Sequence, residues 1–307
     1  MLDVSKAIDL LFGGAAPERL EEIKVLWGDG GERAFLSDRT GFLLEAGFGV
    51  VQVNEIALRK FWILTYALSR AADFYAWPLL YLAKAQLPFD LELLAGVPDQ
   101  ADGNAAFEGA LNAVAALTEA QSVDDVPLPV GIPLPALGVR SGDVADQAGF
   151  DLACMAAAYV FLHEIRHVLL AQAEGKTLAP VEEEIECDRF ARNMMIDGAG
   201  QYARDHQFDP AAVAAKRVLG ILFATLAIVA ITPPTEMRGS STHPAVRERI
   251  RLALDAAPDP APDWFWLAAA GAAAALTRAL AVREGRQLAP VPFEQFRDLA
   301  HTLLHKL

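Results

Sequence analysis

Tyr159-Val160-Phe161-Leu162-His163-Glu164-Ile165-Arg166-His167-Val168-Leu169-Leu170 reads as one helix, apolar around a pair of histidines. Residues four apart on an α-helix share a face about one turn apart, so His163 and His167 can both reach a single metal ion, with zinc the natural occupant of imidazole donors. Glu164 lies beside that face. It is poorly placed to be a ligand there and well placed to take a proton from a water held at the metal. With six histidines in the chain, a chance His-Glu-x-x-His is expected on the order of once in a hundred such sequences. The competing reading is a buried helix whose histidines satisfy nearby carbonyls or carboxylates.

A catalytic zinc takes three protein ligands and keeps an open position for water. The next segment supplies a candidate. The central helix is expected from Phe150 to Glu174, with Gly175 ending it and Lys176 to Ala179 forming a short loop. Pro180 suits the first position of a second helix, and Glu182 and Glu183 suit its positive end. That helix returns antiparallel to the first. Glu184 then sits about one turn in and His167 about two turns before the first helix ends, which brings them level. Glu184 is therefore the third ligand, and Asp188, four residues on, accepts a ring N–H of a ligating histidine and fixes its tautomer. Glu182, Glu183 and Glu186 are competing candidates for the third ligand, with a solvated acidic helix start the preferred reading of all three. His301 and His305 are also four apart but lack a following Glu and a third ligand, and they are set aside.

Beyond the acidic helix an apolar run reaches Ile231, followed by Thr232-Pro233-Pro234 and by Ser240-Ser241-Thr242-His243-Pro244. His243 lies in a turn before a helix, where an imidazole can donate to the oxyanion that develops on an attacked carbonyl. Upstream, Ala34 to Leu36 and Phe42 to Val53 predict strands of a small antiparallel sheet, whose exposed edge could hold an extended peptide or simply pack on helices. Two short helices are expected before it, carried by Val4, Ile8, Leu10 and Leu11 and then by Leu20, Ile23, Val25, Leu26 and Trp27. After it, Asn54 caps a helix from Glu55 to about Tyr75, with a shorter one at Leu79 to Ala85 beyond Trp77-Pro78 and another at Ala105 to Ala120. Asp124 to Gly142, with Pro127, Pro129, Pro133 and Pro135, is a connector or a lid over the active-site side. Ala257 to Pro262 is a linker to two closing helices, Trp264 to Val282 and Phe293 to Leu304.

At 307 residues the chain can bury a sizeable core. Its formal charge of −14, without a cluster of Lys and Arg, argues against nucleic acid; a basic partner or a neutral peptide fits better, and a protein or peptide substrate is expected. Cys154 and Cys187 lie in apolar helical settings and read as small hydrophobes in a reducing compartment. The start, Met1 to Lys6, has none of the marks of a secretory signal, so a cytoplasmic chain is expected. Val218 to Ile231 is free of charge but shorter than the roughly 20 residues that span a bilayer. A buried helix is favoured there; association with the inner membrane through 218–231 is the alternative, with Lys216 and Arg217 able to snorkel.

His163-Glu164-x-x-His167, Glu184-x-x-x-Asp188-Arg189-Phe190-Ala191 and Thr242-His243-Pro244 with Arg249-Ile250 together resemble the three blocks of gluzincin metallopeptidases of the HtpX and Ste24 type. In length and arrangement the chain is also similar to the phage-exclusion Lit peptidases. The resemblance covers residues 150–254. It implies zinc held by His163, His167 and Glu184, Glu164 as base, Asp188 behind a ligand, and His243 as a donor to the transition state. Cys187 departs from the HtpX pattern, which usually has alanine there, and that family's membrane hairpins are missing; both favour a soluble, triggered protease over membrane quality control. The Lit likeness implies a host protein as substrate, cut when a phage product is present. The expected fold is α+β and mostly helical, a zincin-like catalytic core with a small antiparallel sheet and surrounding helices. Its expected regions are 1–125 (helices and sheet), 126–149 (Pro-rich connector), 150–255 (catalytic helical core) and 256–307 (closing helices). A metal-retaining sensor or scaffold without catalysis is the rival reading, and oligomeric state is left open.

Overall fold

The computed structural model of the protein describes residues 4–28, 31–95, 97, 99–134, 142–173 and 178–307. Helices α1 (Val4–Ala15) and α2 (Leu20–Trp27) are joined by one 3-10 turn at Pro17–Arg19. Phe12, Ile23 and Trp27 turn inward, whereas Leu10 and Val25 of the expected apolar pattern are exposed. The side chains of Val4 and Ile8, part of the expected apolar pattern, lie outside the described residues.

Strands β1 (Ala34–Leu36), β2 (Leu44–Gly47) and β3 (Val50–Val53) form one sheet in the order β1-β3-β2. The segment read as Phe42 to Val53 is a hairpin. Phe48 and Gly49 both have positive φ, 54° and 80°, as a two-residue hairpin turn that matches strand twist requires. β3 is antiparallel to β2 but parallel to β1, so the sheet is mixed and not wholly antiparallel as expected. The tight hairpin leaves β1 the far edge of β3, and residues 37–43 carry the chain across to β2.

Asn54 caps α3 (Glu55–Ala85), its Oδ1 accepting from the Ala57 N–H at 2.9 Å. The expected break at Trp77-Pro78 is absent, and α3 runs unbroken through Pro78. Proline removes the hydrogen bond to the Phe74 carbonyl, but Tyr75, Leu79 and Leu82 are buried around it and hold the helix to its neighbours. Next come α4 (Leu91–Ala95) and α5 (Gln100–Glu119), which starts ahead of the expected Ala105. The described part of the Pro-rich connector lies on α3, where the Pro133 carbonyl accepts from Trp62 Nε1 at 2.8 Å; Pro135 lies outside the described residues.

Helix α6 (Val144–Gln172) begins earlier than expected because Asp143 caps it, accepting from the Asp146 N–H at 3.0 Å. The expected stop at Gly175 lies outside the described residues. Then follow α7 (Pro180–Ile196), α8 (Ala199–His206), α9 (Pro210–Ile231), α10 (Val246–Leu254), α11 (Asp263–Arg283) and α12 (Phe296–Leu304). α6 is apolar nearly all round, as a helix buried on all sides must be, and packs on α1, α3, α7 and α9. At Gly220 of α9 an added Cβ would sit 2.6 Å from the Met155 Cβ of α6, so the absence of a side chain sets how closely these helices meet. Arg217 of α9 is buried and bridges distant parts of the chain: Nη1 donates to Glu18 Oε1 at 2.5 Å and to the Met195 carbonyl at 2.7 Å, and Nη2 to Glu18 Oε2 at 2.8 Å.

α6, α9 and α11 are each long and apolar enough to cross a membrane. The run at 218–231 is thus part of a longer helix, and it has two companions that the sequence reading did not single out. Most of the apolar stretch of each is buried against the rest of the protein.

Candidate metal centre

α6 and α7 place a donor set at the base of a cavity. His163 and His167, one turn apart on α6, direct Nε2 atoms to within 3.2 Å of each other. Glu184 of α7 reaches both, Oε2 at 3.4 Å from His163 Nε2 and Oε1 at 3.3 Å from His167 Nε2. Ligand atoms of the three residues all lie within 4.8 Å of one another. Bonds of about 2.0–2.1 Å to a tetrahedral zinc put donor atoms about 3.3–3.4 Å apart, so the donor set fits such an ion in chemistry and spacing.

The other ring nitrogens are held from behind. His163 Nδ1 lies 2.8 Å from Asp188 Oδ1, and His167 Nδ1 lies 2.7 Å from Glu183 Oε1. Such contacts favour the tautomer with Nδ1 protonated and Nε2 free for a metal. Glu183 is therefore not the solvated helix-start residue expected of it; its place one position before Glu184 lets it flank the same face of α7. Glu186, read the same way, accepts from Arg166 at 2.8 Å and pairs with Arg189. Glu182 accepts from the Ala179 N–H at 3.1 Å, an N-terminal cap interaction.

Asp188 is buried and carries further contacts. The Tyr159 hydroxyl donates to its Oδ1 at 3.1 Å. Arg249 of α10 lies with Nε 3.1 Å from Asp188 Oδ2, an ion pair too bent for a hydrogen bond, and its Nη2 pairs with Glu184. Arg249 belongs to the third sequence block, yet no role for it follows from its neighbours; the available signal was a cation on an amphipathic helix just after His243.

These groups shift one another. Burial alone would lower His163, but the carboxylates of Asp188 and Glu184 outweigh it and push its pKa up to about 10. His167 is raised in the same way, burial being outweighed by Glu184 and Glu183. Burial would raise Glu184 and Asp188, yet hydrogen bonds from the histidines and the charge of Arg249 hold both below the usual carboxylate range. Glu164 goes the other way: burial raises it against the pull of both histidines. Cys154 and Cys187 are raised by burial, which disfavours the thiolate a metal would need.

A cavity of about 510 Å³ opens over the donor set, lined among others by Ala46, Phe48, Glu164, His243 and Arg249. His243 stands at its mouth, 61% exposed, with Nε2 3.7 Å from Glu184 Oε1 and Nδ1 2.8 Å from Thr242 Oγ1. Ser240 Oγ accepts from the N–H of both Thr242 and His243 and shapes that turn. Gly239 (φ +88°) is needed there, since a Cβ would lie 2.8 Å from the Ala245 nitrogen. His301 is elsewhere, against Trp266.

β2 also lines the cavity, and among the described residues it pairs with β3 alone. Val51 donates to the Arg33 carbonyl and Val53 accepts from the Ser37 N–H, so their main-chain groups face β1. Val50 and Gln52 then face β2 and meet Gly47 and Glu45. That leaves the main-chain groups of Leu44 and Ala46 on the free edge, and the Ala46 amide favours the charged form of Glu164 in the cavity beside it.

Residues 51–269, well over half of the chain, match the model of a family described as Peptidase U49. No curated protein and no solved structure matches the chain. The matched span takes in His163, Glu164, His167, Glu184, Asp188, His243 and Arg249, and begins within β3, so β1 and β2 lie outside it.

Proposed function

The chain belongs to the Peptidase U49 family, whose substrates are proteins or peptides, and from that premise we propose that it is a zinc-dependent endopeptidase. The observation that carries the reading is the meeting of His163 Nε2, His167 Nε2 and the Glu184 carboxylate within 4.8 Å, with Glu164 in the same cavity. His163, His167 and Glu184 would hold the metal. When bound, such an ion makes water more acidic and polarises a carbonyl oxygen.

The residues of the chain supply the rest. Glu164, raised by burial, is a base poised nearer neutrality than an exposed carboxylate; it takes a proton from the attacking water and hands it to the leaving amine. Asp188 and Glu183 hold the histidine rings in place. His243, at the cavity mouth, donates to the oxygen of the attacked carbonyl. The free edge of β2 offers the groups of Leu44 and Ala46 to an extended substrate.

We place the protein in the cytoplasm. The rival is a peptidase seated in or on the inner membrane, which the three long apolar helices favour; fractionation of the intact chain after a carbonate wash separates the two. The likeness to Lit peptidases adds phage exclusion as the setting and a host protein as substrate. Terminal proteomics of host lysate treated with the protein, with and without infection, tests this, and absence of infection-dependent cuts would sink it.

The central reading is tested by metal analysis of the chain purified without added metal. About one zinc per chain is expected, kept in Glu164→Gln and lost in His167→Ala. Turnover of a protein substrate should fall by at least about a hundredfold in Glu164→Gln. Zinc bound equally by His167→Ala, or unchanged turnover in Glu164→Gln, would overturn it.

A further inference from the structure

Phe48 is 99% exposed, the most exposed large apolar side chain described, and its backbone is left-handed (φ 54°). That position of a hairpin turn favours Asn, Asp or Gly, and an aromatic there is sterically disfavoured. The backbone costs folding free energy, and the ring recovers none of it by burial. Strained residues of this kind gather at ligand clamps and active sites, and Phe48 lies on the wall of the cavity over the metal centre.

Its place along that cavity is fixed at two points. Ala46 shares the cavity wall with Glu164 where β2 packs on α6. Two residues on from Phe48's neighbour Gly47, the turn ends at Gly49, where an added Cβ would lie 3.5 Å from Gln172 Nε2. From Ala46 to Gly49 the hairpin thus follows α6 from Glu164 towards its last turn. Val168 and Ala171, on that stretch of α6, line the same cavity. Phe48 and Ala171 are exposed apolar side chains at that end of the cleft, with Val168 buried beneath them, and the centre of the cleft is charged.

We infer that Phe48, with Val168 and Ala171, forms a subsite for an apolar side chain of the substrate, about two residues to the N-terminal side of the bond that is cut. The inference rests on the endopeptidase reading and on a substrate that adds antiparallel to β2, the orientation β3 takes on the other side. In that orientation the substrate residue opposite Ala46 is the one nearest Glu164. Moving along β2 towards Phe48 is moving towards the substrate's N-terminus. The substrate class is therefore an extended peptide segment with Phe, Leu, Ile or Met at that position. A substrate lying parallel to β2 would put the preference on the other side of the cut.

The test is digestion of a proteome-derived peptide library by the zinc-loaded full chain, with every new terminus sequenced. Apolar residues should be enriched about two positions N-terminal to the cut. On a matched pair of peptides with Phe or Ala there, the wild-type ratio of kcat/KM should favour Phe by about tenfold or more. Phe48→Asn, which suits the turn but lacks the ring, should collapse that ratio, with the change in KM; Phe48→Leu should restore most of it. In the Glu164→Gln background, fluorescence anisotropy of the labelled Phe peptide should show weaker binding on Phe48→Asn by a similar factor. Cleavage with no preference at that position, a preference on the C-terminal side, or a ratio unmoved by Phe48→Asn would overturn the subsite and leave the peptidase reading standing. A zinc-loaded wild type that cuts nothing in the library would overturn both.

Discussion

The Nε of Arg249 lies 3.1 Å from Asp188 Oδ2. Through its other arm the same guanidinium pairs with Glu184, so one cation from α10 holds two carboxylates of α7 that would otherwise repel each other in a buried setting. Arg249→Met leaves both acids without that partner. Removing one member of a buried pair costs about 3 kcal/mol, and the metal-free variant is expected to melt correspondingly lower. A divalent ion restores part of the missing positive charge, so zinc should raise the melting temperature more in the variant than in the wild type. Differential scanning fluorimetry with chelator and with zinc checks both; an equal zinc increment would contradict the argument.

The raised His163 gives a pH dependence with a definite sign. A group whose folded pKa is raised, here from 6.5 to about 10, contributes stability that is complete below its unfolded value and is lost as pH climbs to the folded one. In chelator, the melting temperature should therefore fall from about pH 6.5 upward. Zinc takes the ring only as neutral imidazole, so its affinity should rise over the same window by about tenfold per pH unit for each proton displaced. Calorimetry in buffers of different ionisation enthalpy measures the protons released. No release at neutral pH would show that the ring is already neutral.

Glu183 and Asp188 each hold a histidine Nδ1, at 2.7 Å and 2.8 Å, but differ in what else they do. Glu183 is a third exposed, while Asp188 is buried with Tyr159 and Arg249 upon it. Glu183→Ala should weaken zinc by about tenfold, as removal of an orienting partner does, with little change in the melting temperature of the metal-free chain. Asp188→Ala should lower both. Competition with a chromophoric chelator gives the affinities, and equal effects of the two substitutions on stability would refute the distinction.

Gly220→Ala tests the closeness of α9 and α6. The new Cβ would meet Met155 Cβ at 2.6 Å, and neither atom sits at the end of a flexible chain. Overpacking of this kind costs about 1–3 kcal/mol. Urea unfolding should show a lower midpoint with an unchanged slope.

What the sequence made legible was local. The spacing of His163 and His167 and the count across the turn to Glu184 depend on helix geometry and a short connection, and both are written in adjacent residues. Which of the consecutive glutamates 182–184 and 186 would serve the histidines was harder, because each step turns the helix by about 100° and the phase is set by packing. That is how Glu183 came to be read as solvated. Arg249 and Ala46 reach the centre from distant parts of the chain, and no pattern near His163 announces them. Pro78 argued locally for a break in α3, and the burial of Tyr75, Leu79 and Leu82 overrode it. The parallel pairing of β1 with β3 was equally invisible, since alternation of side chains does not name a strand's partner.

Glu18 and Arg217 stand 199 residues apart in the chain and meet in a doubly bonded clasp that also grips the Met195 carbonyl near the end of α7. Whatever severs the leading helix from the body therefore strands a positive charge beneath the helix that carries Glu184. A cut just past Glu18 that released the leading helix would leave Arg217 buried without its carboxylate, so the loss of stability would be felt 199 residues along the chain from the break.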